Sequence, residues 1–477
     1  MRGYGIILIG VRLYLKKVKN EKFYIKLKTF YFMAYNIIVG RTESDRKKLG
    51  ERGTIFLGKG YVKMGQTTSL SNNLFIDVAR SHVMLVSGKR GTGKSWTLGV
   101  IAEELSSLET EVSQNIATVI FDTMGIFWTM VYPNTREEEL LRSWKLAPRQ
   151  FDTVDIYTPK GYFTEQTKRG VPSKFKFSIK PSELDVGDWC NVFGVELTEP
   201  IGIMISRIID GLKEKKNYGL DDIIKDVKKD KRTDRHVQDA VENLFVSVIG
   251  WGLFSDTGTK IKDIVKRGRV SVIDISCYTH VAGNWSIKSL VIGLICKKLL
   301  NERIFYRKLE EVKAIEAGRS YFGLERGDGG KQEMPIVWIL IDEAHEFLPK
   351  EGKTAATDIL VQLLREGRQP GISMVLATQQ PGEIHKDVMT QSDIVISHRI
   401  TAKKDIDALN NMMQSYLTSD IQRYINDLPR LKGSAIILDD NSERIYPMRV
   451  KPRVTWHGGE APISVPVKRK ALLDLGL

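Results

Sequence analysis

The residues best suited to chemistry in this chain lie in a short glycine-rich segment at positions 88–95. In order, they are Gly88, Lys89, Arg90, Gly91, Thr92, Gly93, Lys94 and Ser95. This spacing matches GxxxxGK[ST], a loop whose glycines let backbone N–H groups surround a phosphate. In such a loop Lys94 reaches the β- and γ-phosphate oxygens, and Ser95 offers its hydroxyl to Mg²⁺. Together with the adjoining Trp96, the segment predicts a site for ATP and Mg²⁺.

An acidic pair, Asp342 and Glu343, follows a second apolar run. Residues 335–349 read PIVWILIDEAHEFLP, so both carboxylates stand just beyond a strand-like stretch. A carboxylate there can hold Mg²⁺, and the next one can accept a proton from an attacking water. We therefore expect Asp342 to be a metal ligand and Glu343 to be the catalytic base. The alternative is a strand that simply ends in solvated acids, and the phosphate loop favours catalysis.

The two motifs require elements that meet at one edge of a sheet. Helical periodicity at 95–108 predicts the helix that follows the loop. Continuous apolar runs predict buried strands of a mostly parallel sheet covered by helices. These runs lie at 82–87, 117–121, 270–275, 336–341 and 373–377. The predicted fold class is α/β, with a RecA-like P-loop NTPase core.

Two further aspartates, Asp122 and Asp274, follow predicted strands at the edge where such sheets bind ligands. Either one could support Mg²⁺ from a distance or cap the next turn, and the capping role is favoured for Asp274. Asp342 follows Lys94 so late in the sequence that a compact core of the small-GTPase type is excluded.

The sequence pattern predicts five parts. They are a basic extension at 1–32, a reduced β-cap at 33–80, an ATPase core at 81–180 and 251–440, a helical insertion at 181–250, and an extended C-terminal brace at 441–477. Two hydrophilic stretches, 158–176 and 303–331, are predicted to be surface loops or irregular excursions. Residues 1–32 could be a loose basic arm, or they could lie upstream of a true translation start at Met33. Detection of a peptide from residues 2–28 by mass spectrometry of the native protein would exclude that start.

Composition and net charge indicate which class of partner the chain binds. The 477 residues include 72 Lys+Arg and 58 Asp+Glu, for a net charge of +14, and 42% are hydrophobic. Such a chain folds, and its charge favours a polyanion, nucleic acid before an anionic membrane. Residues 1–32 hold eight Lys/Arg and one acid, about half of the excess. Bulk charge is therefore weak evidence for DNA.

Compartment is indicated by the cysteines and by the apolar runs. The three cysteines, Cys190, Cys277 and Cys296, form no CxxC pair, which supports neither a disulfide framework nor a zinc site. The first apolar run, 6–11, is too short for a membrane span or a secretion signal. We expect a cytoplasmic protein that does not enter a membrane.

Four more segments carry a resemblance to a known family. They read DEAHEFLP at 342–349, LLREGRQPG at 363–371, MVLATQQP at 374–381 and PRVTWHGGEAP at 452–462. In this order, after the phosphate loop, they resemble the HerA/FtsK superfamily of ring-forming DNA-translocating ATPases, and HerA-type helicases in particular.

The resemblance implies a homohexamer that binds ATP between subunits and moves along double-stranded DNA. It also implies a nuclease partner of the NurA type, in DNA end resection and recombinational repair. Arg368 matches the arginine finger that enters the neighbouring site, and Gln379 matches the polar sensor of the γ-phosphate. Arg365 is the substitute finger, because the helix dipole alone would favour an arginine at a helix C-terminus.

The chain also departs from the family pattern. Residues 122–126 read DTMGI and lack the acid of DxxGE, TQQP replaces TQRP at 378–381, and His82 stands where relatives often have arginine, with Arg80 nearby. The segment between Met33 and Asn73 is too short for the family's full N-terminal barrel. These departures leave the residues for hydrolysis in place and leave the trans-acting contacts open.

A motor of this kind needs weak, sequence-independent phosphate contacts in its pore. Lys350 and Lys353, just after DEAHEFLP, are the favoured candidates, ahead of the lysines within 160–176. Two other functions stay open: a ring-shaped ATPase scaffold for a partner effector in anti-phage defence, and a DNA-pumping ATPase of conjugation or packaging.

Overall fold

The computed structural model describes residues 7–8, 11–17, 23–29, 36–64, 67–215, 217–280, 284–319, 334–413 and 421–459. Its strands are β1 Ile7–Leu8, β2 Val11–Lys17, β3 Phe23–Thr29, β4 Ile37–Val39, β5 Thr54–Met64, β6 Thr67–Asp77, β7 Val83–Ser87, β8 Ile116–Asp122, β9 Val154–Pro159, β10 Phe175–Phe177, β11 Val270–Asp274, β12 Ile336–Ile341, β13 Ile372–Thr378, β14 Ile394–His398, β15 Ser434–Asp439 and β16 Arg444–Val450. Its α-helices are α1 Glu43–Leu49, α2 Lys94–Ser106, α3 Thr110–Ser113, α4 Glu138–Ser143, α5 Phe163–Lys168, α6 Val186–Phe193, α7 Pro200–Lys213, α8 Leu220–Lys229, α9 Arg235–Ile249, α10 Ile261–Ile264, α11 Asn284–Arg319, α12 Thr357–Glu366, α13 Lys386–Gln391, α14 Lys403–Met413 and α15 Ile421–Asp427.

Most of the strands form one large sheet. Their order is β10-β9-β11-β8-β12-β13-β7-β14-β15-β16-β5-β6-β4. The strands from β10 to β14 in this order run parallel, and antiparallel pairing then adds β15, β16 and β5. The central strands β8, β11 and β13 are buried throughout, which explains their continuous apolar sequences. The predicted α/β class with a mostly parallel sheet is confirmed.

Helices cover both faces of the sheet. On one face, buried residues of α2 such as Leu98 and Ile101 share a core with β7 and the N-terminal strands of this sheet. On the other face, α11, α12 and the helices α6 to α9 contribute to a second core. Trp189 and Phe245, with ring centroids 4.9 Å apart, join α6 to α9 within it. The helices at 186–249 fall in the predicted insertion and pack into the core of the sheet.

The predicted β-cap continues the main sheet. Its hairpin of β5 and β6 pairs with β16 through β5, with Gly60 opposite Met448. The strands approach so closely at Gly58 that a Cβ atom there would lie 2.1 Å from the Arg449 carbonyl oxygen. The residues from Arg444 to Val450, expected in an extended brace, are therefore a strand that links the cap to the core.

Both predicted surface loops contain regular structure, so that prediction was wrong. The stretch 158–176 includes α5 and parts of β9 and β10, and α11 runs through the first half of 303–331. Residues 320–333 lie outside the described residues. The polar composition misled because ion pairs hold some of the charged side chains: Lys174 contacts Asp155 of β9 at 2.8 Å, and the buried Arg303 contacts Glu310 at 3.3 Å.

A buried polar cluster ties the cap to the amino edge of the sheet. His82 lies between Asp77, 3.2 Å from Nε2, and Asp393, 2.6 Å from Nδ1. Arg41 pairs with the other oxygen of Asp77. Although burial opposes it, contact with the two carboxylates raises the pKa of His82 to about 9. His82 is 4% exposed, so it does not present a cation at the surface.

The N-terminal strands β1, β2 and β3 form a separate antiparallel sheet. A loose basic arm was one of the two alternatives for this part of the chain, and the structure gives it a hairpin of β2 and β3 instead. Within the described ranges, every helix is too short or too polar to span a membrane.

Candidate nucleotide site

The phosphate loop lies between β7 and α2, as predicted. Gly91 and Gly93 have φ values of 78° and 123°, a region that favours glycine. A Cβ atom on Gly88 would lie 2.7 Å from the Cβ of His398. The loop can therefore take its curved path only with glycine at these positions, and its backbone stays open to a ligand.

His398, at the end of β14, packs against the phosphate loop. Burial lowers the pKa of His398 to about 4, so its ring is neutral at physiological pH. Nδ1 donates to the Ser434 carbonyl oxygen at 3.1 Å, and Nε2 faces the Thr97 hydroxyl at 2.8 Å. A neutral ring adds no positive charge beside the phosphate loop and fixes the first turn of α2.

Lys94, Ser95 and Asp342 meet at the carboxyl edge of the sheet. The Ser95 hydroxyl donates to Asp342 Oδ2 at 2.5 Å, and Lys94 Nζ donates to the Lys89 carbonyl oxygen at 3.2 Å. Burial lowers the pKa of Lys94, while the charges of Glu343 and Asp342 oppose that change. Burial raises the pKa of Asp342. A hydroxyl beside a carboxylate suits Mg²⁺, which prefers oxygen ligands.

Glu343 lies directly beyond Asp342 in an unusual conformation. Its φ is +52°, the left-handed region that a residue with a side chain rarely adopts. Its Oε1 accepts a hydrogen bond from Nε2 of Gln379, and its Oε2 is buried without a hydrogen-bond partner among the described residues. His345 Nδ1 stands 3.7 Å from that oxygen. This oxygen therefore lacks the hydrogen-bond partner that a polar group bound in the site could supply.

The two candidate arginine fingers have different surroundings. Arg365, in α12, is held by Asp387 at 2.6 Å. Arg368 is exposed, and its side chain has no partner within the described part of the chain. Arg368 precedes β13, whereas Gln379 follows it. Strand β13 rises by about 3.3 Å per residue, so Arg368 lies roughly 20 Å from the edge that carries the phosphate loop.

The aspartates that end β8 and β11 both cap turns. Asp122 accepts the N–H groups of Gly125 and Phe127 at 2.7 Å, and Asp274 accepts the hydroxyl of Ser276 at 2.6 Å. Burial raises the pKa of both carboxyls, and for Asp122 the nearby Asp274 adds to it. Both oxygens of Asp122 and Oδ1 of Asp274 are therefore already used within the turns.

The lysines proposed for a pore are partly neutralised. Lys353 pairs with Asp358 at 2.9 Å. Lys350 lines an open groove of about 440 Å³ together with Lys403, Lys404 and Asp407. Within 160–176, Arg169 pairs with Glu165 and Lys174 with Asp155, as described above.

The C-terminal segment packs on α2 of its own chain, a contact that the sequence analysis missed. Arg453 and Glu103, both fully buried, are joined at 3.0 Å. Val454 N–H donates to the same carboxylate at 3.0 Å, and the Trp96 indole donates to the Lys451 carbonyl oxygen at 3.0 Å. Trp96 thus directs its side chain to this segment, away from the phosphate loop. An acid in the middle of an apolar helix was the available signal.

About half of this chain matches a known protein family. The family model described as the central domain of the helicase HerA matches residues 62–301, half of the chain. The match contains the phosphate loop, while the acidic pair, Arg368 and Gln379 lie beyond it.

Similar curated proteins include two archaeal helicases. The probable DNA double-strand break repair helicase HerA of Methanocaldococcus jannaschii is 26% identical over 155 residues, covering 30% of this chain and 29% of that protein. The DNA double-strand break repair helicase HerA of Pyrococcus furiosus is 25% identical over 219 residues, covering 43% of this chain and 38% of that protein. The matched segments thus span less than two fifths of either relative.

Among solved structures, VirB4 of Thermoanaerobacter pseudethanolicus matches with a TM-score of 0.49. It is 11% identical, and the match covers 83% of this chain and 96% of that one.

Proposed function

The chain belongs to the family of the HerA helicase central domain, and from this premise we propose that it is an ATP-hydrolysing motor that moves along double-stranded DNA. The observation that carries the proposal is the contact between Ser95 and Asp342, with Glu343 next to it. It joins the phosphate loop to an acidic pair across the sheet, which is the arrangement that hydrolysis of a nucleoside triphosphate requires.

The side chains of the site divide the steps of the proposed reaction between them. ATP with Mg²⁺, when bound, supplies the phosphoryl group that is transferred to water. The backbone of the loop from Gly88 to Gly93 and the Lys94 ammonium hold the phosphates, while Ser95 and Asp342 hold the metal ion. Glu343 accepts a proton from the attacking water through its free Oε2. Since Gln379 holds the other oxygen, its amide fixes the orientation of the base in addition to its proposed role as γ-phosphate sensor.

Arg368 is proposed to complete the site of a neighbouring subunit. Since the phosphate loop lies about 20 Å away at the opposite edge of the sheet, Arg368 cannot serve the ATP of its own chain. A ring that places the amino edge of one subunit against the carboxyl edge of the next brings the two together. Arg365 is less suited to this role because Asp387 already holds it.

The proposed assembly is a homohexamer around double-stranded DNA, with a nuclease partner of the NurA type in DNA end resection and repair. The two relatives named above are DNA double-strand break repair helicases, one of them a probable one, and their similarity supports this role. The groove lined by Lys350 and Lys403 is proposed to contact DNA phosphates without reading sequence.

The proposal is tested by ATP hydrolysis measured with and without linear duplex DNA. Wild-type turnover should rise with DNA, and Glu343→Gln should lose at least about 100-fold in turnover while still binding ATP. Glu346→Gln, three residues away and partly exposed, is the matched control. A monomeric protein without stimulation by DNA, or an active Glu343→Gln variant, would exclude the motor.

A further inference from the structure

The turn between α8 and α9 carries a dense group of unpaired cations. We call residues 225–235 the cationic turn. The following side chains in it are exposed and make no hydrogen bond or ion pair with any residue that the structure describes: Lys225, Lys229, Lys231, Arg232 and Arg235. Exposed lysines are common on protein surfaces, so a role for this group has to be inferred from the residues around it.

Two of the three acids of the cationic turn are paired with cations from outside it. Asp230 pairs with Arg207 of α7 at 2.7 Å, and Asp226 pairs with Lys215 at 3.4 Å. Asp234 is the one acid of the turn without an ion pair to a described residue. Within residues 225–235, the five exposed cations therefore face only one unpaired acid, Asp234, and this excess of positive charge forms a local positive field.

Hydrogen bonds hold the backbone of the cationic turn in one shape. The side-chain amide of Gln238 donates to the carbonyl oxygens of Val227 at 2.8 Å, Lys228 at 3.1 Å and Asp230 at 3.2 Å. The Thr233 hydroxyl donates to Asp230, which Arg207 also contacts. A preorganised turn loses less conformational entropy when it binds a ligand than a free tail does.

We propose that the cationic turn binds the sugar–phosphate backbone of duplex DNA. Duplex DNA is also the substrate in the proposed function, so the inference rests on that function. Contacts between Lys or Arg and phosphates position DNA without reading bases, and they need no apolar anchor. The turn offers five such cations and exposes no large apolar side chain, whereas a protein interface is usually centred on buried aromatic or aliphatic residues. The geometry favours DNA over an acidic protein.

A salt titration of DNA binding tests the proposal. The variant Lys229→Ala/Lys231→Ala/Arg232→Ala should bind linear duplex DNA more weakly than wild type. The slope of log K against log salt should also shrink by about 0.9 for each DNA phosphate that the variant no longer neutralises, or about 2 to 3 in all. Hydrolysis of ATP without DNA should be unchanged, because these residues lie outside the nucleotide site.

The matched control removes the same charge from α1. Arg46, Lys47 and Lys48 are also adjacent and exposed, and Arg46→Ala/Lys47→Ala/Lys48→Ala should keep the wild-type slope. Equal slopes for all three proteins, or equal losses in both variants, would overturn the inference. So would loss of subunit assembly with an unchanged slope, which would assign the turn to an acidic protein surface. Wild-type protein that binds no duplex DNA at any salt concentration would instead refute the proposed function.

Discussion

Replacing Arg453 by methionine should destabilise the phosphate-loop helix more than any surface change of similar size. Arg453 and Glu103 are both fully buried and lie 3.0 Å apart, so the variant leaves a carboxylate in the core without its cation. Removing one partner of such a pair costs about 3 to 5 kcal/mol. Because Glu103 keeps the N–H groups of Val454 and Thr455, we expect the lower end, about 3 kcal/mol.

The measurement is urea unfolding followed by tryptophan fluorescence. Trp96 reports on the contact because it donates to the Lys451 carbonyl oxygen and packs on His457, with ring centroids 5.3 Å apart. Arg444→Met, at the exposed start of β16, is the control and should change the free energy of unfolding by less than about 0.5 kcal/mol. The double variant Glu103→Gln/Arg453→Met should recover at least about 1 kcal/mol, since the buried charge is gone.

Gly99 gives an independent check of the same contact. A Cβ atom at Gly99 would lie 2.6 Å from the guanidinium carbon of Arg453. Gly99→Ala should therefore destabilise the wild-type protein and be tolerated once Arg453 is methionine. Equal midpoints for Arg453→Met and Arg444→Met, or a Gly99→Ala cost that does not depend on Arg453, would refute the reasoning.

Three further outcomes are expected. The raised pKa of His82, about 9 against about 6.5 unfolded, contributes on the order of 3 kcal/mol of stability, fully present below pH 6.5 and lost as the pH rises through 9. The unfolding midpoint of His82→Gln should change less between pH 7 and 9 than that of the wild type. An equal pH dependence of the two proteins would contradict this prediction. Gln379→Ala should lower ATP turnover at least about tenfold, because the catalytic base Glu343 would be misplaced. If the variant instead kept normal turnover and lost affinity for ATP but not for ADP, Gln379 would contact the γ-phosphate alone. Arg368→Ala should lower ATP turnover by about 10³-fold or more, and mixing this variant with Glu343→Gln subunits should restore turnover. Arg365→Ala should stay active. The reverse result would exchange the roles of the two arginines.

Local patterns explain why the placement of the candidate nucleotide-site residues could be predicted. A phosphate loop needs glycine, lysine and serine at fixed spacing, and the chain that joins β7 to α2 is too short to place them elsewhere. The central strands were also predictable, because burial on both faces demands uninterrupted apolar residues. Asp342 and Glu343 follow from the end of one such strand.

Long-range pairing explains most of the rest. Strand β16 contains arginine, tyrosine and proline, and it is a strand because β15 and β5 flank it. The contact between Arg453 and Glu103 joins residues more than 300 positions apart, so the local sequence can show that the buried Glu103 needs a partner but cannot identify Arg453 as that partner. The hydrogen bond from Gln379 to Glu343 likewise depends on the neighbouring ends of β12 and β13.

The two edges of the sheet divide the proposed chemistry between subunits. Parallel strands place Lys94, Ser95, Asp342 and Glu343 at the carboxyl edge, because each follows its strand or, for the loop, the end of β7. The same parallel order puts Arg368 before β13, at the amino edge. The length of one strand therefore keeps a single chain from supplying its own finger. If hydrolysis needs Arg368, activity must depend on protein concentration in the range where the ring forms, and a chain without neighbours must be inactive however complete its own phosphate loop is.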